Sequence, residues 1–128
     1  IEFLGHLDVK DLISYIKGAE AVLVPSQSFE SFGFSALEAM ALGTPVVSTE
    51  QGALKEIVDP SLGVTFPYKD KKAFARAIHQ AIKMDKAIVQ QKAKEIISKK
   101  YLPERHFESL MNVYEHLLTT KKETDKKV

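Results

Sequence analysis

The stretch "SFESFGFSALEAMALGTPVV", residues 28–47, holds two carboxylates, Glu30 and Glu38, with seven residues between them and Phe32-Gly33-Phe34 in the interval. It follows an apolar run, "AVLVP", and leads into a helical pattern, so a loop there passes into a helix near Gly33. A helix N-terminus carries unpaired N–H groups and about half a positive charge, a ready place for phosphate. Gly33 has no Cβ to keep such a group from the backbone, and Phe32 and Phe34 would flank its approach. Glu38 lies five residues further, about 7.5 Å along the axis. A carboxylate is a bidentate acceptor for a vicinal diol. Two of them on either side of a phosphate site match a ligand built as diol, diphosphate and diol, which is the form of a nucleotide sugar. Spacing alone also fits a solvated loop glutamate and a helix glutamate paired with a lysine, which is the commoner situation.

The elements that must position these residues alternate along the chain. Residues 2–5 read as a short apolar strand, and Asp8 caps a helix through about Gly18 with Leu12, Ile13 and Ile16 on one face. "AVLVP" (21–25) has no polar alternation, which predicts burial on both faces and a parallel sheet. A helix over 33–42 follows, with Gly43 at its C-terminal cap, then a buried strand over 45–48 and a short helix over 53–58. "GVTF" (63–66) is a further strand, and helices follow over 70–84, 86–100 and 103–118, the last opened by Pro103. Alternating strands and helices predict an α/β fold: a Rossmann-like open parallel sheet of about four strands, right-handed in its crossovers, with flanking helices and C-terminal helices. In such sheets ligands bind at the carboxyl ends of the strands, where Glu30 and Gly33 fall. The expected domain is 1–118, and the charged tail, 119–128, is expected to be disordered.

Composition narrows the chemistry. With 128 residues, 45% hydrophobic and 27% charged, the chain can bury a core as one domain. Cysteine is absent, which excludes disulfides and thiolate catalysis. No apolar run approaches the roughly 18 residues of a membrane span, and no signal peptide is visible. The chain enters a strand pattern at Ile1 without a Met, as a piece of a larger protein would. Up to Tyr68 three basic residues face nine acidic ones; from Lys69 onward fifteen face eight. The later lysines are spread at helical periods without interleaved aromatics, so they read as wet helix faces rather than a nucleic-acid platform. The four histidines (6, 79, 106 and 116) are far apart and do not suggest a metal site. The two glutamates also suit a hydrolase acid–base pair, but no Trp is present to stack a sugar and the helix start would have no role.

"VLVPSQSFESFGFSALEAMALGTPVVST" (22–49) closely resembles the signature of the group 1 (family 4) glycosyltransferases in their C-terminal, nucleotide-sugar-binding domain. The matching features are Pro25-Ser26, Glu30, Phe32-Gly33, Glu38-Ala39-Met40-Ala41, Gly43 and Pro45-Val46-Val47; Glu30 and Glu38 fall on the E-x7-E motif. "FLGHL" before a helix and "GALKEIV" after a strand agree, and the similarity covers residues 1–85. The resemblance implies a GT-B enzyme that moves a sugar from a nucleoside-diphosphate sugar to an acceptor with retention, without a metal or other cofactor. It assigns Glu30 to the donor-sugar hydroxyls near the reacting carbon and Glu38 to the ribose. The N–H groups of Phe32, Gly33 and Phe34 would hold the diphosphate leaving group, an electrostatic role of the oxyanion-hole kind. Gly5, His6 and Leu7 are candidates for base contacts. The family's Arg and Lys for the diphosphate come from segments upstream of these residues, as does its acceptor domain. The implied partners are therefore a nucleotide sugar and an N-terminal acceptor domain, with no nucleic acid; peripheral membrane contact and self-association are secondary expectations. The implied setting is cytoplasmic, at most peripheral to the membrane. The rival readings are a non-catalytic nucleotide-sugar-binding module and a nucleotide-sugar epimerase of the same fold.

Overall fold

The computed structural model of the chain describes residues 1–125, with side chains through residue 119. It divides into two compact units, residues 1–94 and the remainder from Glu95. In the first unit α1 (Val9–Gly18), β1 (Val22–Val24), α2 (Phe34–Ala41), β2 (Val46–Thr49), α3 (Leu54–Ile57), β3 (Gly63–Phe66) and α4 (Lys71–Ala81) follow one another, and α5 (Lys86–Lys100) begins there. The second unit carries α6 (Pro103–Asp125). The expected tail, 119–128, falls on the last turns of α6 and on residues outside the described ones.

The strands form one parallel sheet in the order β1-β2-β3. Val22 is in register with Val46 and Gly63, and Leu23 with Val47 and Val64. Side chains alternate between faces along a strand, so β2 serves two cores. Val47 joins Phe66, Ala73, Ala77 and Ala81 under α4 on one face. Val46 points to the other, where α2 and α3 pack with Ala36, Ala39, Met40, Leu54 and Ile57 buried. All four residues of β2 are buried. Ser48 is fully enclosed and its Oγ has no hydrogen-bond partner among the described residues.

Helix ends follow their sequence signals. Asp8 Oδ1 accepts from the N–H of Lys10 and of Asp11, both at 3.0 Å, and Asp70 Oδ1 accepts from Ala73 N–H at 2.8 Å. At the far end of α2, Gly43 takes a left-handed φ of +75°. There Gly43 N–H donates to Met40 C=O (2.9 Å) and Thr44 N–H to Ala39 C=O (3.0 Å), the paired bonds of a Schellman cap. An added Cβ at Gly43 would meet the Gln90 side chain, so this turn has room for glycine alone.

Two expectations are corrected. Residues 2–5 form no strand, and among the described residues the sheet has three strands rather than about four. A strand is held by ladder bonds to a neighbour. Residues 1–5 make none with the described residues, and Phe3 is 94% exposed. β1 is also not buried on both faces: Leu23 is 45% exposed. It points to the face of α4, but α4 packs over β3 and β2, and β1 is at the opposite edge of the sheet from β3.

Candidate functional site

Glu30 lies at the carboxyl ends of β1 and β2. After β1 the chain makes an excursion over residues 25–29 and returns at Glu30, which forms a parallel bridge with Gly52 beyond the end of β2. Ala53 N–H donates to Glu30 C=O at 2.9 Å. Gly52 has a φ of +56°, and an added Cβ there would fall within 2.8 Å of Glu30 N and closer still to Glu30 O. The backbone of Glu30 thus rests directly on a glycine. Its half-buried carboxylate accepts a short hydrogen bond, 2.6 Å, from Ser26 Oγ to Oε1. Ser26 C=O in turn accepts from the buried Thr49 Oγ1 at 2.9 Å.

Gly33 begins α2 in the left-handed region, φ +78°, and provides no side-chain cap. Its hydrogen side faces Leu54 and Ile57 of α3; a Cβ would lie 2.8 Å from Leu54 Cδ2. The glycine is therefore required by its φ and by close packing against α3. Its C=O accepts from Ala36 and Leu37 N–H, which starts the helix, while the preceding N–H groups have no side chain on them. Three other helices differ: α1 is capped by Asp8, α4 by Asp70, and α5 by Asp85, whose Oδ1 accepts from Ala87 N–H. The rings of Phe32 and Phe34 stand 4.7 Å apart beside the uncapped end, both exposed, and Phe29 is 82% exposed.

Glu38 is exposed on α2, one turn further on, and lines a cavity of about 290 Å³ with Val9, Leu12, Ile13 and Ile16 of α1 and Ala41 and Leu42. No hydrogen bond or ion pair among the described residues engages its side chain. It is not the lysine-paired glutamate that spacing alone allowed. Gly5, His6 and Leu7 precede α1, with Gly5 at φ +67° and Leu7 two residues ahead of Val9, which lines the Glu38 cavity. The structure so divides the predicted residues between two places. Glu30 is tied to the ends of β1 and β2, whereas Glu38 looks into the α1–α2 groove. Three residues surround Glu30: Ser26 bonds its carboxylate, Thr49 bonds the Ser26 C=O, and Gly52 seats its backbone.

A model of the family "Glycosyl transferases group 1" matches residues 1–101. The chain belongs to the group 1 glycosyl transferases. Glycogen synthase of Mycobacterium tuberculosis is 37% identical over 93 residues, which are 72% of this chain and 22% of that protein. A D-inositol 3-phosphate glycosyltransferase of Saccharomonospora viridis is 42% identical over 77 residues, 59% of this chain and 18% of the relative. A phosphatidyl-myo-inositol mannosyltransferase of Mycobacterium leprae is 34% identical over 86 residues, 66% of this chain and 23% of the relative. This group 1 glycosyl transferase chain thus spans about a fifth of the length of these relatives. Among the described residues no helix is long and apolar enough to cross a membrane.

Proposed function

We propose that this chain forms the donor half of the active site of a retaining GT-B glycosyltransferase. Its reaction is transfer of a sugar from a nucleoside-diphosphate sugar to an acceptor. The observation that carries the proposal is the free N-terminus of α2. The helices capped by aspartate need no ligand there, whereas among the described residues no side chain caps the first N–H groups of α2, which lie next to the exposed Phe32 and Phe34. A diphosphate there completes the helix end and lies in its positive field. As the glycosyl bond breaks, the same N–H groups of Phe32, Gly33 and Phe34 stabilise charge growing on the leaving oxygen. Glu30 takes the donor-sugar hydroxyls and Glu38 the ribose. Gly5–Leu7, at the mouth of the Glu38 groove, are the candidates for the base.

The relatives' names span different acceptors, from glycogen to a phosphatidylinositol, while the shared region is this one. That pattern favours a donor role for the shared region. The acceptor side then comes from a companion domain, and a cytoplasmic setting, with at most peripheral membrane contact, suits a nucleotide-sugar donor. On α6 an exposed apolar stripe, Phe107, Leu110, Tyr114 and Leu117, is the surface that would support association.

The test is Glu30→Gln in the full-length protein that carries this chain. Turnover with a radiolabelled donor should fall by at least about 10²-fold, as for loss of a transition-state contact, with binding of the free nucleoside diphosphate nearly unchanged. Turnover close to wild type would overturn the assignment.

A further inference from the structure

We propose that Ser26 is the positioning residue for the Glu30 carboxylate, locking it in the one orientation that serves the donor sugar. The proposal rests on the reading of Glu30 given above. A glutamate side chain has several freely rotating bonds, and a loop glutamate spends most of its time misaligned. Glu30 is held at both ends. Its backbone is fixed by Ala53 N–H and by contact with Gly52. Its Oε1 is fixed by Ser26 Oγ at 2.6 Å, the length of a charge-assisted O–H···O⁻ bond. Ser26 is itself anchored, because its C=O accepts from Thr49 Oγ1 and Thr49 is buried at the end of the central strand. The chain of bonds runs from the interior of β2, through Ser26, to one carboxylate oxygen.

The arrangement uses Oε1 and leaves Oε2 for a hydroxyl of the donor, since among the described residues no other group bonds the Glu30 side chain. Alignment of this kind acts on the reacting geometry more than on ground-state affinity, since small misplacements cost rate steeply. Ser26 therefore influences kcat through Glu30 and leaves the nucleotide end of the site alone.

The experiment is a kinetic comparison in the full-length protein that carries this chain. Ser26→Ala should lower kcat about 10- to 100-fold, equivalent to about 1.4–2.7 kcal/mol. The donor KM, the inhibition constant of the nucleoside diphosphate and the melting temperature should stay close to wild type. Ser26→Thr, which keeps the hydroxyl, should recover most of kcat. In a Glu30→Ala background, Ser26→Ala should change kcat by less than about twofold, because nothing remains to be positioned. If Ser26→Ala does not fold, Ser26→Cys, close in volume but a weak donor, should show the same selective loss. Unchanged kcat in the Ala or Cys variant would overturn the proposal, as would a rise in donor KM and nucleotide inhibition constant at constant kcat. A full independent loss in the Glu30→Ala background would also overturn it. Loss of activity in Glu30→Gln with none in Ser26→Ala would sink this inference alone; no loss in Glu30→Gln would sink the reading beneath it.

Discussion

Replacing Gly52 with alanine should destabilise the first unit and unseat Glu30 together. The residue sits at φ +56°, where a Cβ costs about 1–2 kcal/mol. The new Cβ would also fall within 2.8 Å of Glu30 N and closer to Glu30 O. These are backbone atoms tied into a bridge, so they cannot rotate aside as a flexible side chain would, and overpacking of this kind costs about 1–3 kcal/mol. Allowing for some shared relaxation, the sum is about 2–4 kcal/mol. For a unit of this size that corresponds to a fall of roughly 10–25 °C in melting temperature. Thermal unfolding followed by far-ultraviolet circular dichroism measures it. Gly18→Ala is the matched control, because an added Cβ at Gly18 meets nothing within 4 Å and its φ is not in the left-handed range. Melting of Gly52→Ala within about 3 °C of wild type, or an equal fall in the control, would refute the reasoning.

Glu38→Ala in the full-length protein should weaken nucleoside diphosphate binding by about 1–3 kcal/mol. A 2′-deoxy analogue should bind wild type correspondingly poorly, and calorimetry giving equal ribose and deoxyribose affinities would remove Glu38 from the ribose. Ser48→Ala deletes a buried hydroxyl with no partner among the described residues, so stability should hold or rise by up to about 2 kcal/mol; a clear loss in chemical denaturation would show that the hydroxyl is satisfied. Leu54→Ala should cost about 2–5 kcal/mol, because Leu54 is fully enclosed against Gly33, and a near-native denaturation midpoint would show that α3 is not the support of the α2 start. The chain by itself should transfer no sugar and bind nucleoside diphosphate weakly, since two carboxylates repel it unless hydroxyls intervene; radiolabelled transfer by the isolated chain would contradict this.

Local signals survived the passage from sequence to structure where the physics is local. Asp8, Asp70 and Gly43 act within a turn of their own helices, so caps and ends were readable. Glu30 and Glu38 stood out through the resemblance to the E-x7-E motif, since their spacing alone also fits the commoner solvated and lysine-paired glutamates. Residues 2–5 carried a strand pattern, but a strand depends on a neighbour that a local pattern cannot supply. Leu23 looked like a buried residue, yet the extent of α4's cover sets its exposure. Ser26, Thr49 and Gly52 were invisible as a group because they join the ends of two strands 23 positions apart. Gly33 was noticed for its place at a helix start; the close packing of Leu54 against it, which also calls for glycine, comes from 21 positions further along the chain.

β2 lies between two partners, with every residue buried, whereas the segment bearing Phe29, Phe32 and Phe34 is open to solvent. Amide protons exchange with deuterium only when their hydrogen bonds open, and the rate follows the local cost of opening. The amides of β2 belong among the slowest in the chain, and those of residues 27–29 among the fastest. Thr49 stands at the boundary between these two regimes and reaches across it to Ser26. The carboxylate of Glu30 is thus moored, through Ser26 and Thr49, to the part of the molecule that opens least.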